Sequence, residues 1–262
     1  GTPIFYVPKY SWVTSGRGTG FLSPGLNLYK ELGDKSNYFH TIVPYYFNLA
    51  PNRDLLIALS YLSSRGAVFG AKYRELISTS NNPEAGMFEF ESQNLFNDKI
   101  TGKNRWLIDT SLDLNITETT NLKLLFNQVS DKDYFLQVSR SLRDLSRLKS
   151  SLDLSYNNPP LIDEDEDNVD KNTRQLKYDD LDYANQFSFK IFSEREQIVN
   201  NGASEFTKPL EISIDKKIDS NTLPLKIDLN FITTNFDHKV ASKTTGNRTH
   251  AEIELSRKNR IG

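Results

Sequence analysis

Apolar and polar residues alternate with period two along most of this chain, and the alternation runs unusually far between breaks. Val43, Tyr45, Phe47 and Leu49 fall on one side of an extended segment and Pro44, Tyr46 and Asn48 on the other, because successive strand side chains point to opposite faces. Ala50-Pro51-Asn52-Arg53-Asp54 then stops the run: proline fixes φ and cannot donate, while Asn and Asp bond the local backbone. Leu55, Ile57, Leu59 and Tyr61 begin a second run that ends at Ser63-Ser64-Arg65-Gly66, and a third extends from Val68 to Ile77. The pattern is that of a tight up-and-down meander of aromatic-rich strands.

Read in this way, the chain predicts strands at about 4 to 12, 20 to 29, 38 to 49, 54 to 63, 67 to 77, 86 to 96, 105 to 116, 121 to 129, 147 to 157, 184 to 194, 208 to 218, 223 to 235 and 248 to 257. Most are longer than the roughly 5 or 6 residues of an ordinary soluble strand. In the later strands each face is uniform. Trp106, Ile108, Leu112, Leu114 and Ile116 oppose Asp109, Ser111, Asp113 and Asn115; Leu148, Leu152, Leu154 and Tyr156 oppose Lys149, Ser151, Asp153 and Ser155. Leu210, Ile212 and Ile214 oppose Glu211, Ser213 and Asp215, and Leu225, Ile227, Leu229 and Phe231 oppose Lys226, Asp228 and Asn230. Two regions break the rhythm. Ser130 to Ser146 reads as a short strand or a loop with a helical turn. Asn157 to Asp182, with Pro159-Pro160 and the acidic run 163 to 167, reads as a solvated loop, since prolines end strands and like charges resist compaction.

Composition sharpens the choice of fold. The hydrophobic fraction of this 262-residue chain is 37%, low beside the roughly 45–50% of globular domains, yet 16 Phe and 12 Tyr argue against disorder. A barrel with a wet interior and an apolar exterior absorbs that polarity, because half of each strand faces water. A soluble β-sandwich also alternates. Span length, charges concentrated on one face and aromatics near strand ends favour an all-β, antiparallel, up-and-down transmembrane β-barrel. No apolar stretch is long enough for a membrane helix, which says nothing against spans of about 9 to 11 alternating residues.

Candidate chemistry is sparse. A net charge of −2 provides no field for nucleic acid. There is no cysteine, and His40, His238 and His250 show no metal-ligand spacing, so neither a metal site nor a cofactor is expected. Gly16-Arg17-Gly18-Thr19-Gly20 is followed by no helical pattern and reads as a hairpin turn rather than a phosphate loop. The acidic run lacks the glycine and distal glutamate of a calcium loop. Nothing sits in a nucleophile-elbow context, so catalysis is not expected.

Several motifs come in a familiar order. Pro3-Ile-Phe-Tyr-Val-Pro8, Gly18-Thr-Gly-Phe-Leu-Ser-Pro24, Val43 to Asp54, Tyr61 with Ser64-Arg65-Gly66, and Ala71-Lys-Tyr-Arg-Glu-Leu76 resemble the first barrel strands of the LptD (Imp, OstA) family of lipopolysaccharide-assembly outer-membrane proteins. Asn104-Arg-Trp106 and Val129-Ser-Asp-Lys-Asp-Tyr-Phe135 look like later landmarks of that family, and beyond about residue 135 the match fades into generic barrel pattern. The stretch Ser11 to Ser15 departs from the family in carrying no proline.

The resemblance implies a barrel of roughly 26 strands after a soluble periplasmic domain, so that residues 1–262 are the N-terminal part of one outer-membrane barrel domain, about 12 or 13 strands, without the periplasmic domain or the closing strands. It implies lipopolysaccharide as the substrate, an LptE-type plug lipoprotein, and a periplasmic lipopolysaccharide-bridge protein that docks through the missing N-terminal domain. Acyl chains would leave through a lateral gate between first and last strands and sugars through the lumen. Pro8 and Pro24, each removing a ladder donor, are the gate candidates, or mark a strand start or bulge. Asp109, Asp113, Asp153, Glu211, Asp215, Lys226 and Asp228 would line the wet lumen, or are simply solvated. A porin-like barrel and a soluble carbohydrate-binding β-sandwich are the rival readings.

Overall fold

The computed structural model describes residues 17–30, 37–79, 82, 85–139, 145–158, 186–200, 202–219, 225–240 and 242–257. Every strand in them belongs to one antiparallel sheet of thirteen strands in chain order. They are β1 (Gly20–Phe21), β2 (Gly25–Lys30), β3 (Asn37–Ala50), β4 (Arg53–Leu62), β5 (Gly66–Ile77), β6 (Gly86–Leu95) and β7 (Arg105–Thr117), followed by β8 (Thr120–Val129), β9 (Arg147–Asn158), β10 (Phe187–Ile198), β11 (Thr207–Asp219), β12 (Leu225–Asp237) and β13 (Gly246–Arg257). Each pairs with the next, except that β1 and β2 both pair with β3. The sheet does not close: the β1/β2 pair and β13 are its two edges. This is the all-β, up-and-down arrangement the alternation predicts, open in the manner of part of a barrel. The predicted strand at 4 to 12, Pro8 within it and the acidic run at 163 to 167 lie outside the described residues.

Boundaries follow local chemistry. Pro51 and Asn52 turn β3 into β4, and the Arg65 N–H bonds the Leu62 carbonyl as β4 turns into β5. Gly66 enters β5 at φ 126°, a conformation only glycine adopts without strain. The rhythm-breaking stretch after β8 contains a single π-helical turn, Phe135–Ser139. The tenth strand ends later than its apolar pattern suggests. Arg195, Glu196 and Gln197 interrupt the alternation, but their backbones still pair with Ser150, Lys149 and Leu148.

The register sorts the residues into two faces. Asp54, Leu56 and Ala58 stand opposite Arg74, Lys72 and Gly70, and Lys72, Glu91 and Asp109 follow one another across β5, β6 and β7. This polar face continues through Lys123, Asp153 and Asp215. The other face carries Leu59, Ile57, Phe88, Ile108, Leu124, Leu154, Ile214 and Ile253. No second layer covers it among the described residues: Leu28 is 78% exposed, Leu59 61% and Ile253 69%. A β-sandwich would bury these side chains against a partner sheet.

The buried apolar cluster lies instead toward one end of the strands. Leu62, Val68, Leu95, Leu107 and Val129 are strand-end residues, and Tyr134, Phe135 and Val138 descend on them from the π-helical turn. We expect Leu95→Ala, at a fully buried position, to cost about 2–5 kcal/mol. Leu59→Ala on the open face should cost far less in detergent. Denaturant unfolding of the detergent-folded protein measures both.

Candidate functional site

Three groups of polar residues have a geometry that bears on function: the wall formed by the polar face, a buried ion cluster at one end, and the seam between the edge strand and β3.

Alternation places all seven wall residues singled out in the sequence, Asp109, Asp113, Asp153, Glu211, Asp215, Lys226 and Asp228, on the polar face. At Asp113 and Asp153 charges of opposite sign meet across neighbouring strands, which stabilises the pairing there. Asp113 pairs with Lys123 at 3.0 Å and Asp153 with Lys190 at 2.7 Å. Glu211 receives the Lys208 ammonium at 2.6 Å and the Thr234 hydroxyl at 2.9 Å. Asp215 accepts from Ser188 at 3.3 Å and from the Asn230 amide. With the Asn127 amide turned so that its nitrogen rather than its oxygen faces Asp109, it donates to that carboxylate at 2.7 Å. Lys226 and Asp228 stand opposite Ser256 and Glu254 of the edge strand β13. The seven do not converge on one point. They form a mixed-charge surface with hydrogen-bonding groups along its length, and no cluster of metal-ligating side chains occurs among the described residues.

The ion cluster was not legible from the chain. Arg65 after β4, Asp98 after β6, Arg105 opening β7 and Asp131 after β8 come from four different turns or strand ends, yet the meander returns all four to the same end. Asp98, fully buried, accepts from Arg65 at 2.7 Å, from Arg105 at 3.2 Å and from the Ile100 N–H at 2.9 Å. Arg105 also grips Asp131 through two bonds of 2.8 and 2.7 Å and donates to the Gln137 side chain at 2.8 Å. Its guanidinium lies 5.8 Å from the Tyr134 ring, and the Tyr134 hydroxyl donates to Gln93 at 3.3 Å. The Ser130–Ser139 segment is thereby fastened onto the polar face. Burial alone would raise the Asp98 and Asp131 carboxyls. The Ile100 N–H with Arg65 and Arg105, and Arg105 with Ser130, more than offset it and hold both below the usual range. Burial pushes the Tyr134 hydroxyl well up, so it stays a neutral donor.

At the seam, Gly20 and Phe21 pair with Tyr46 and Tyr45, whereas Gly25 pairs with Ile42. Leu22, Ser23 and Pro24 therefore span two residues of β3, a one-residue bulge with Pro24 in it. The Pro44 carbonyl accepts the Leu22 N–H at 3.0 Å. Since N–H and C=O of one strand residue point the same way, the donor that Pro44 lacks is missing on this side too. Side chains hold the edge strand near its start: Asn48 bonds Arg17 and Thr19 at 2.9 and 3.0 Å. Asp54 accepts from Tyr46 and doubly from Arg74, with Arg17 at 3.7 Å.

Comparisons with known proteins fall on one family. Residues 103–261 match the family model described as LptD, LPS transport system D, so the match includes the stretch in which the named motifs thin out. The LPS-assembly protein LptD of Ralstonia nicotianae is 34% identical over 143 residues, 54% of this chain and 16% of that protein. Those of Thiobacillus denitrificans and Paraburkholderia xenovorans are 32% identical over 159 and 166 residues, 60% and 61% of this chain and 19% and 20% of theirs. The matched stretch thus spans a fifth or less of these relatives.

Removing the shared acceptor of the ion cluster tests its contribution. Asp98→Ala leaves two buried guanidiniums without it and is expected to cost about 3–5 kcal/mol. The lowered Asp98 and Asp131 carboxyls add stability that is complete above the unfolded aspartate pKa of about 3.9 and is lost as pH falls through their lower folded values. Unfolding midpoints measured from neutral pH down into that range should drop in the parent and stay flatter in the variant.

Proposed function

We infer, from the premise that this chain belongs to the LptD family, that it is part of the wall of an outer-membrane barrel that delivers lipopolysaccharide to the outer leaflet. The observation that carries this reading is the uncovered apolar face backed by a charged one in a single open sheet. Only a closed barrel leaves no unpaired edge in lipid. The two edges seen here therefore call for further strands, which we assign to the same barrel domain beyond this segment, together with a periplasmic domain that hands on the substrate.

In this mechanism no covalent bond is made or broken. The lipid-facing side chains anchor the wall, and the acyl chains of lipopolysaccharide pass sideways through the seam where first and last strands meet. Its sugars and phosphates move along the face of Asp109, Asp113, Asp153, Glu211, Asp215, Lys226 and Asp228, whose bonds they exchange for their own. An LptE-type lipoprotein occupies the lumen, and the periplasmic bridge protein supplies substrate. Pro8 and Pro24 keep the gate weak. A ladder bond contributes about 0.5–1.5 kcal/mol net, so a bulge at Pro24 and a missing donor at Pro44 lower the work of bending the edge strand aside. A porin-like barrel would need none of this and would close on its own strands.

Expressed alone without detergent, the chain should aggregate; a soluble monomer would overturn the membrane reading. In the full-length protein, Pro8→Ala combined with Pro24→Ala should slow lipopolysaccharide export and strengthen cross-linking across the first strand. Export and cross-linking both unchanged would remove the gate role from these prolines.

A further inference from the structure

The two rims of the apolar face differ in charge. At the rim where β4 begins, Arg53 stands opposite Glu75 at 4.0 Å, and the Tyr73 hydroxyl donates to the same carboxylate at 2.6 Å. The cation there already has its counter-charge. At the other rim, where β4 ends and β6 turns toward β7, Lys99 reaches across to Tyr61. Its ammonium donates to the Tyr61 hydroxyl at 2.7 Å and lies 5.0 Å from the ring centre. The neighbouring acid, Asp98, is turned into the buried cluster with Arg65 and Arg105. Among the described residues no carboxylate comes within ion-pairing distance of Lys99.

The turn that carries Lys99 is held in shape by its own backbone. The Asp98 N–H bonds the Lys103 carbonyl at 2.9 Å, the Gly102 N–H bonds the Asp98 carbonyl at 2.7 Å, and the Lys99 N–H bonds the Arg65 carbonyl of the adjacent turn at 2.9 Å. Gly102 closes the turn at φ 67°, where a side chain would be strained. Phe96 and Ile100 therefore stand 61% and 57% exposed on a fixed support beside an ammonium. Phe39, 6.2 Å from the Tyr61 ring, continues the cluster onto the apolar face. Exposed apolar side chains next to an aromatic ring and an unopposed lysine suit the boundary between hydrocarbon and headgroups, because rings and alkyl stems sit in the boundary while the ammonium reaches the charged layer. Since the Tyr61 oxygen accepts from Lys99, its own hydrogen is left to donate outward. The pair offers an anion one charged donor and one hydroxyl.

We propose that Lys99 and the Tyr61 hydroxyl bind a phosphate of lipopolysaccharide at the outer-leaflet rim of the wall, with Phe96 and Ile100 set against the top of its acyl region. The assignment rests on the transport reading above and deepens it. In that reading the periplasmic domain joins the sheet at the Gly20 end, so the turn between β6 and β7, at the opposite end of the strands, meets the outer leaflet. A phosphate supplies the counter-charge that Lys99 lacks, whereas a neutral sugar would leave it unpaired. The site also adjoins the edge strand, since Phe39 pairs with Leu28. A lipid held there stays beside the seam through which it leaves.

The reactivity of the Lys99 amine tests this in the full-length protein folded in detergent. Labelling by an amine-acylating reagent is read by peptide mass spectrometry while one of three lipids is titrated in: lipopolysaccharide, lipopolysaccharide stripped of its lipid phosphates, or phosphatidylglycerol. Intact lipopolysaccharide should suppress Lys99 labelling as it saturates, and the other two should not. Tyr61→Phe keeps the ring and removes the hydroxyl. It should raise the half-protecting concentration about tenfold, the weight of one hydrogen bond to a charged group, with the heat-modifiable mobility of the barrel unchanged. Equal protection by phosphatidylglycerol or by the dephosphorylated form, or no shift in Tyr61→Phe, overturns the assignment. Undiminished labelling with intact lipopolysaccharide, in a protein that still supports export in cells, removes the site and leaves transport standing. If cells depleted of the protein export lipopolysaccharide normally, the transport reading falls and the rim site with it.

Discussion

Everything in this sheet depends on where its apolar side chains can go. A strand of period two has one greasy face, and a soluble protein must bury that face against another layer. Here the layer is missing: Leu28, Leu59, Ile253 and Leu255 stand largely exposed, while the opposite face is occupied by ion pairs and amides. The hydrophobic effect still operates, but in this arrangement its sink is hydrocarbon outside the protein. Backbone pairing then has to satisfy every polar group of the wall without water. Uninterrupted ladders of ten to twelve residue pairs, as between β5 and β6 or β9 and β10, answer that demand.

With the main apolar face committed outward, tertiary order comes from elsewhere. The Ser130–Ser139 segment folds onto the polar face, where Tyr134, Phe135 and Val138 make a small dry core over the strand ends. Such a segment would be expensive to hold on a charged face by hydrophobic contact alone. Arg105 solves this by bonding Asp98, Asp131 and Gln137 together, which ties β6, β7 and the turn into one unit. Buried charges are stabilising only when fully partnered, and the fork of an arginine is suited to several carboxylates at once.

The strands and the division into two faces were legible because alternation is a local property: Trp106 to Ile116 against Asp109 to Asn115 needs no knowledge of neighbours. What escaped detection was set by neighbours. Arg65, Asp98, Arg105 and Asp131 each sit beside turns, where a charged residue is unremarkable, and only the return of the meander unites them. The continuation of β10 through Arg195 to Ile198 is dictated by pairing with β9, not by its own polar residues. The bulge at Pro24 requires both registers, since Phe21 opposite Tyr45 and Gly25 opposite Ile42 reveal a slip that neither strand shows alone. In Leu55-Leu56-Ile57-Ala58-Leu59 of β4 the alternation of Leu55, Ile57 and Leu59 marks the outer face, while Leu56 and Ala58 are placed among charges only by their pairing with Lys72 and Gly70.

The distribution of strength along the wall follows from the same constraint. From β3 onward the ladders are continuous but for slips such as those after Asn48 and Asn115, and the Arg105 cluster stiffens one end of β4 to β8. The first described strands, β1 and β2, are different: their ladder to β3 is notched at Pro24 and Pro44 and is backed near its start by the Asn48 side chain bonding the Arg17 carbonyl and the Asn48 N–H bonding the Thr19 hydroxyl. Compliance in this sheet is thereby confined to one place. Missing donors concentrate it there, because a bulge or proline weakens only the two strands it touches.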